Sequence, residues 1–314
     1  MTSRENVMRT IRRDAPEWIP YRYDGCITMI KPDLVVRPEI SGKDDWGVQW
    51  IENGGKKETY PDNIPVINIE DIREYYAPAT DWNAVHSQLK VSVGDCRRKD
   101  TLVIVYDELP IFERTQLLLG YSQFMVSLKT EEELFNCLLD IITDYQEKLV
   151  ETIMDCSADG IRFTDDWGMQ DRLFVSPEDW RKFFKPRYKK LYGIVKNKNG
   201  IIFQHSCGYL EDIMPDIVEM GVDVLDPCQP SANDIFAWKN KYGKNLSFMG
   251  GLDTQGYLSF GTPAEVKKQV KKVAAKMSEG GGYIAAPSHT IDIPDANRQA
   301  MIEAINEINA GKKR

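Results

Sequence analysis

Apolar and polar positions change rhythm near residue 100. From there on, short unbroken apolar runs alternate with longer stretches whose apolar residues recur every third or fourth position. Residues 101–106, 160–164, 201–204, 222–225, 246–249 and 282–286 are runs of the first kind and read as strands buried on both faces. Residues 131–156 are of the second kind. Leu134, Leu138, Ile141, Ile142, Tyr145 and Leu149 form one stripe of an amphipathic helix. Ser176-Pro177 and Thr262-Pro263 each set a capping hydroxyl before a proline, which opens a helix. Residues 295–309 read as a last helix. Strands alternating with helices imply a parallel sheet with crossover helices.

The first hundred residues lack this rhythm. Residues 17–23 read as a first strand, and residues 22–100 as a Gly-, Pro- and Asp-rich excursion with Trp46, Trp50 and Trp82. Within it, residues 46–50 and 57–60, joined through Asn53-Gly54-Gly55, predict a β-hairpin. Residues 65–89 read as loop and helix. With the first strand the count is seven, which favours an α/β fold of the (β/α)8 TIM-barrel type with one strand unassigned. Residues 1–314 then form one domain: an N-terminal segment, 1–100, and a regular barrel, 101–314. A doubly wound open sheet is the alternative. No GxGxxG follows the early strands, so a dinucleotide site lacks its main support.

The predicted strand ends carry Asp107-Glu108, Asp165-Asp166, His205 with Cys207, Asp226, Asp253 and Ser288-His289. The starts carry Gly160, Gly200, Gly221 and Gly282. A barrel keeps its chemistry at the C-terminal strand ends, so this asymmetry predicts one shared pocket. In an extended chain His205 and Cys207 point to the same side. An imidazole and a thiolate suit zinc, and His289 is the natural third ligand, leaving a fourth position open. The plain alternative is a core histidine beside a buried thiol. His86, in a polar helical stretch, has no role.

Asp165 and Asp166 point in different directions. One reaches the metal or a substrate hydroxyl while the other caps the turn; both as turn residues is the plain alternative. Gln170 either bonds the substrate or is an exposed amide. Asp107 and Asp253 are candidate substrate contacts. Trp46, Trp50 and Trp167 are candidates for an apolar pocket wall, although tryptophan more often fills a core. Glu113 and Arg114, opening a helix, read as an ion pair or cap.

A formal net charge of −8 and a pI near 5.2 argue against a nucleic-acid partner. The short Lys312-Lys313-Arg314 tail does not alter this. No apolar run is long enough to span a bilayer, and Met1 to Asn6 lacks a signal core. Six scattered cysteines without a CxxC pair fit reduced thiols and a cytoplasmic protein.

Several motifs stand in order along the chain. They are Thr164-Asp-Asp-Trp-Gly-Met-Gln170, Ser176-Pro-Glu178 with Trp180 and Phe184-Lys-Pro-Arg187, and His205-Ser-Cys-Gly208. Gly221-Val-Asp-Val-Leu225 with Pro227 and Gln229, Gly250-Gly-Leu-Asp253, and Gly280-Gly-Gly-Tyr-Ile284 running into Ala286-Pro-Ser-His289 follow. Together, from about residue 100 onward, they resemble the uroporphyrinogen decarboxylase superfamily.

The resemblance implies a (β/α)8 barrel and one of two chemistries. One is metal-free decarboxylation of the acetate arms of uroporphyrinogen. The other is zinc-dependent methyl transfer to or from corrinoid proteins or coenzyme M, including O-demethylation of methoxy aromatics. The decarboxylase's arginine-rich N-terminal segment is replaced here by Glu17-Trp-Ile-Pro-Tyr-Arg-Tyr23. The His-x-Cys pair of the methyltransferase branch is carried by His205 and Cys207. That branch usually takes its third ligand from a cysteine after the last strand, and His289 stands near that place. One thiolate and two neutral imidazoles would leave a zinc ion near +1, a better Lewis acid for a bound oxygen than a two-thiolate site.

The expectation is therefore a zinc-dependent methyltransferase. It would move a methyl group from a small O-methyl substrate to a corrinoid protein, with Asp165 or Asp166 supplying a proton or a contact. The alternatives are a metal-free decarboxylase and a catalytically silent barrel that binds a small molecule. The expected partners are a small-molecule substrate and a corrinoid protein, with a homodimer allowed.

Overall fold

The computed structural model describes residues 1–52, 58–289 and 293–312. In chain order its strands are β1 (Ile27–Ile30), β2 (Gly42–Lys43), β3 (Gln49–Glu52), β4 (Thr59–Pro61) and β5 (Leu102–Glu108). They continue as β6 (Gly160–Thr164), β7 (Ile201–His205), β8 (Val224–Asp226), β9 (Ser247–Leu252) and β10 (Tyr283–Pro287). The helices are α1 (Ser3–Arg12), α2 (Trp82–Arg97), α3 (Phe112–Thr130), α4 (Glu132–Asp155), α5 (Pro177–Asp179) and α6 (Lys185–Asn197). After these come α7 (Met214–Glu219), α8 (Ile235–Tyr242), α9 (Tyr257–Phe260), α10 (Pro263–Met277) and α11 (Asp295–Lys312).

Seven strands pair in the order β1-β5-β6-β7-β8-β9-β10, each parallel to its neighbour. Side chains alternate across such a sheet. Ile104, Phe203, Val224, Met249 and Ile284 meet on the inner face, where Val7 and Ile11 of α1 close one end. Val103, Val105, Ile161, Phe163, Ile202 and Leu225 face the helices. The sheet is thus curled around a small core of its own, with a larger core outside it.

Caps and stripes appear as predicted. Thr262 and Glu265 exchange the reciprocal bonds of a capping box at the start of α10. The buried stripe of α4 includes Leu138, Ile142, Tyr145 and Leu149.

The N-terminal segment differs from expectation. The predicted first strand, 17–23, is a single parallel bridge between Tyr21 and Ala285, flanked by N–H bonds from Arg22 to Ala285 and from Ala285 to Pro20. The Asp24 carboxylate accepts bonds from the N–H groups of Tyr21 and Cys26 and turns the chain there. The strand that pairs with β5 is β1, inside the stretch read as excursion. Four residues between Gly25 and Pro32 are too few to stand out by period. The seven-stranded sheet therefore holds one strand fewer than the predicted eight. The predicted hairpin corresponds to β3 and β4, which join β2 in a small antiparallel sheet with Ile51 opposite Tyr60. Its predicted turn, Asn53-Gly54-Gly55, and Lys57 lie outside the described residues.

Among the described residues no helix is long and apolar enough to cross a membrane.

Candidate functional site

Above the inner core, the inward positions become polar. Tyr106 and Glu108 of β5, Arg162 and Thr164 of β6, and His205 of β7 line a cavity of about 470 Å³, together with Glu113, Asp166, Cys207 and His289. A smaller cavity of about 120 Å³ adjoins it, sharing Arg162, His205 and His289 and reaching Asp226 and Arg22. The sheet's C-terminal edge thus opens into one polar chamber.

Three donors converge in it. A side-chain atom from each of Asp166, His205 and Cys207 lies within 4.8 Å of the other two. His205 Nε2 is 3.6 Å from both Cys207 Sγ and an Asp166 oxygen. His289 lines the same chamber but is not part of this trio.

Backbone bonds fix the two loops that carry the trio. The Cys207 N–H donates to Asp166 at 2.7 Å, and the Asp166 N–H donates to Glu113 at 3.0 Å. The Gly208 N–H donates to Gln229 at 2.5 Å. Gly208 has φ +82°, and a Cβ there would lie 2.4 Å from the backbone of Gly168, so neither loop tolerates a larger residue at the crossing.

The electrostatics are unusual. Burial raises the Cys207 thiol well above its ordinary value, and the nearby Asp166 and Asp226 add to this. A cation in the trio would reverse that trend, since a metal-bound thiol ionises. Glu113 is raised well above the usual carboxyl range by burial and by Asp166 and Asp165. Burial lowers His289, with His205 acting the same way. Burial alone would raise the Asp226 carboxyl, but Arg162 and His205 beside it hold it well below the usual range.

The model for uroporphyrinogen decarboxylase (URO-D) matches residues 112–308. The chain belongs to the URO-D family. No curated protein sequence matches this URO-D family member. Among solved structures, a methyltransferase from Methanosarcina mazei superposes at TM-score 0.72 over 98% of this chain and 99% of that one, with 19% identity. D-psicose 3-epimerase with D-tagatose from Clostridium cellulolyticum H10 aligns more loosely, at TM-score 0.43 and 9% identity over 77% of this chain and 86% of that one. The first likeness shows a shared fold along nearly the full length of both chains.

In this URO-D family chain the other sequence candidates lie away from the chamber. Asp165 faces the helices, and its carboxylate accepts bonds from the N–H groups of Ile111, Phe112 and Glu113 at 2.6–3.0 Å. Burial pushes it up to about 6, against the pull of Tyr188 and those N–H groups. Asp107 also sits on the outer face; it is fully buried and neither carboxyl oxygen has a hydrogen-bond partner among the described residues. Trp46 packs edge-on against Tyr145, 4.9 Å between ring centres. Trp167 packs against Trp180 and Tyr188 and donates its indole N–H to Tyr188. Gln170 is exposed and bonds the Ser231 carbonyl. Asp253 lines a separate cavity of about 650 Å³ with Tyr257 and Ile235.

Sequence reasoning passed over Arg162, Tyr106 and Glu113 as site residues in this URO-D family member. Strand parity points to the first two. Leu102 and Ile104 face inward, so Tyr106 must as well. Arg114, read with Glu113 as an ion pair or cap, pairs instead with Asp44 at 2.6 Å inside the protein.

Proposed function

We propose that this URO-D family protein is a zinc-dependent methyltransferase that moves a methyl group from a small O-methyl substrate to a corrinoid protein. The observation that carries the reading is the convergence of Asp166, His205 and Cys207 beside an open chamber. An imidazole, a thiolate and a carboxylate are zinc's ordinary donors, and three of them with a free side is the pattern of a catalytic site. The M. mazei methyltransferase, which shares the fold, agrees with this branch of the family.

Zinc held there would act as a Lewis acid on the oxygen that bears the methyl group. The three donors, with a carboxylate in place of a second imidazole, would leave the ion nearly neutral. The chamber walls then matter more for oxygen recognition. Tyr106, Thr164 and Glu113 line the chamber beside the donors and offer hydrogen bonds to an oxygen. A corrinoid acceptor at the open side would take the methyl group, the electron pair of the broken C–O bond would stay on the oxygen, and a proton would reach it from water in the open chamber. Asp166 serves as a ligand in this reading and Asp165 as a helix cap.

Elemental analysis of the purified protein tests it. One zinc per chain is expected in the wild type and in His289→Ala, with loss in Asp166→Ala, His205→Ala and Cys207→Ala. A folded wild type that takes up no zinc from a zinc-containing buffer would overturn the reading. Release of carbon dioxide from uroporphyrinogen by metal-free protein would favour the decarboxylase alternative.

A further inference from the structure

Arg162, on β6, touches neither cavity floor nor ligand trio by accident. Its Nε donates to one oxygen of Asp226 at 2.7 Å and its Nη2 to the other at 2.9 Å, with both partners buried. Its guanidinium also lies over the Tyr106 ring, 5.0 Å from the centre. A planar fork gripping a carboxylate at both oxygens, and itself stacked on a ring, has little freedom left.

The His205 ring meets this pair through Nδ1, which lies 2.5 Å from an Asp226 oxygen and 2.7 Å from Arg162 Nη2. The two neighbours make opposite demands. A carboxylate needs Nδ1 to carry a proton, whereas a guanidinium, which only donates, needs Nδ1 bare. A cation on Nε2 settles the matter, because the lone pair must then sit on Nε2 and the proton on Nδ1. In that state Arg162 gains nothing from the ring directly. Its influence runs through Asp226.

We infer that Arg162 is a positioning residue for the metal centre: by gripping both oxygens of Asp226 it orients the carboxylate that holds the His205 ring and aims Nε2 at Asp166 and Cys207. The inference rests on the zinc reading above. It assigns a task to a residue that borders the chamber and the His205 ring but supplies no ligand atom itself.

Cobalt(II) titration of metal-free protein tests it, with absorption spectra and competition against a chromophoric chelator as readouts. The set is wild type, Arg162→Lys, Arg162→Met, Asp226→Asn and the double variant Arg162→Met/Asp226→Asn, each checked for fold by circular dichroism. The wild type should show a thiolate-to-cobalt band. Arg162→Met should bind cobalt roughly 10- to 100-fold more weakly, the usual effect of losing an outer partner of a metal ligand, with shifted ligand-field bands. Arg162→Lys, which keeps the charge but loses the fork, should fall between. The double variant should bind no more weakly than Asp226→Asn alone. Wild-type affinity and spectrum in Arg162→Met, or in Arg162→Lys should the Met variant not fold, would overturn the inference, as would additive losses in the double variant. A wild type without the thiolate band is a different result, since it removes the zinc reading itself.

Discussion

Asp165 and Asp166 are neighbours in the chain and serve opposite sides of the sheet. The Asp165 carboxylate gathers three N–H groups at the start of α3, while Asp166 faces His205 and Cys207 in the chamber. A strand leaving the sheet alternates its side chains, so two adjacent acids cannot share one pocket.

The two aspartates are therefore separable by substitution. Asp165→Ala removes a buried helix cap and should destabilise the fold by about 2 kcal/mol, the upper range for capping losses. Its metal content should stay at the wild-type level. Asp166→Ala should lose the metal and, compared in metal-free buffer, keep the wild-type urea midpoint. Urea midpoints and zinc content measured on both variants check this, and zinc loss in Asp165→Ala would reassign the pair.

Asp107 should weaken the protein at the pH where most proteins are handled. Burial raises its carboxyl well above the ordinary value, with Asp165 adding to the effect. The unfolded chain ionises this group near pH 4 while the folded chain keeps it protonated. Stability from this site is thus full below about pH 4 and is lost as pH rises through the raised folded value. Asp107→Leu, which removes an unpartnered polar group of similar size, should gain about 1–3 kcal/mol at pH 8. The gain should shrink toward pH 4, as read by urea unfolding at both values. A pH-independent difference would assign the effect to packing.

Much of this arrangement could be read from the chain before folding. The apolar runs marked β5 to β10, and the i, i+2 spacing placed His205 and Cys207 on one side of a strand. What remained hidden depends on pairing between strands. Asp226 stands opposite His205 on β8, while Arg162 lies two residues before Thr164, the residue opposite His205 on β6. Only that register joins a guanidinium to a carboxylate 64 positions away. Likewise β1 is four residues of unremarkable period, and its place beside β5 is decided by the sheet.

The Arg114–Asp44 ion pair should hold the small antiparallel sheet against α3. Its side chains are 1% and 0% exposed, and Arg114 also lies over the Trp46 ring at 5.4 Å. Removing Arg114 leaves the Asp44 charge buried without a counter-charge, held only by N–H groups of Trp46, Val48 and Trp50, so Arg114→Met should cost about 3 kcal/mol. The double variant Arg114→Met/Asp44→Leu should recover much of that. Chemical denaturation of the three proteins forms the double-mutant cycle, and additive losses would deny the coupling.

The crossing of the two loops at Gly168 and Gly208 predicts a local effect on the chamber. A methyl group at Gly208 would meet the Gly168 backbone at 2.4 Å in a conformation with φ +82°. Gly208→Ala should cost about 1–3 kcal/mol from overpacking and reduce zinc retention by displacing Cys207. Thermal unfolding and elemental analysis together check both halves.

Tyr106, Arg162, His205 and Asp226 come from β5, β6, β7 and β8, four successive staves of one sheet. No single strand contains more than one member of the arrangement, and a slip of one residue between any two staves would turn a member outward. Any ion gripped by the trio is consequently tied to the assembled wall and not to a peptide. By mass action its binding energy returns as resistance of the entire fold to unfolding.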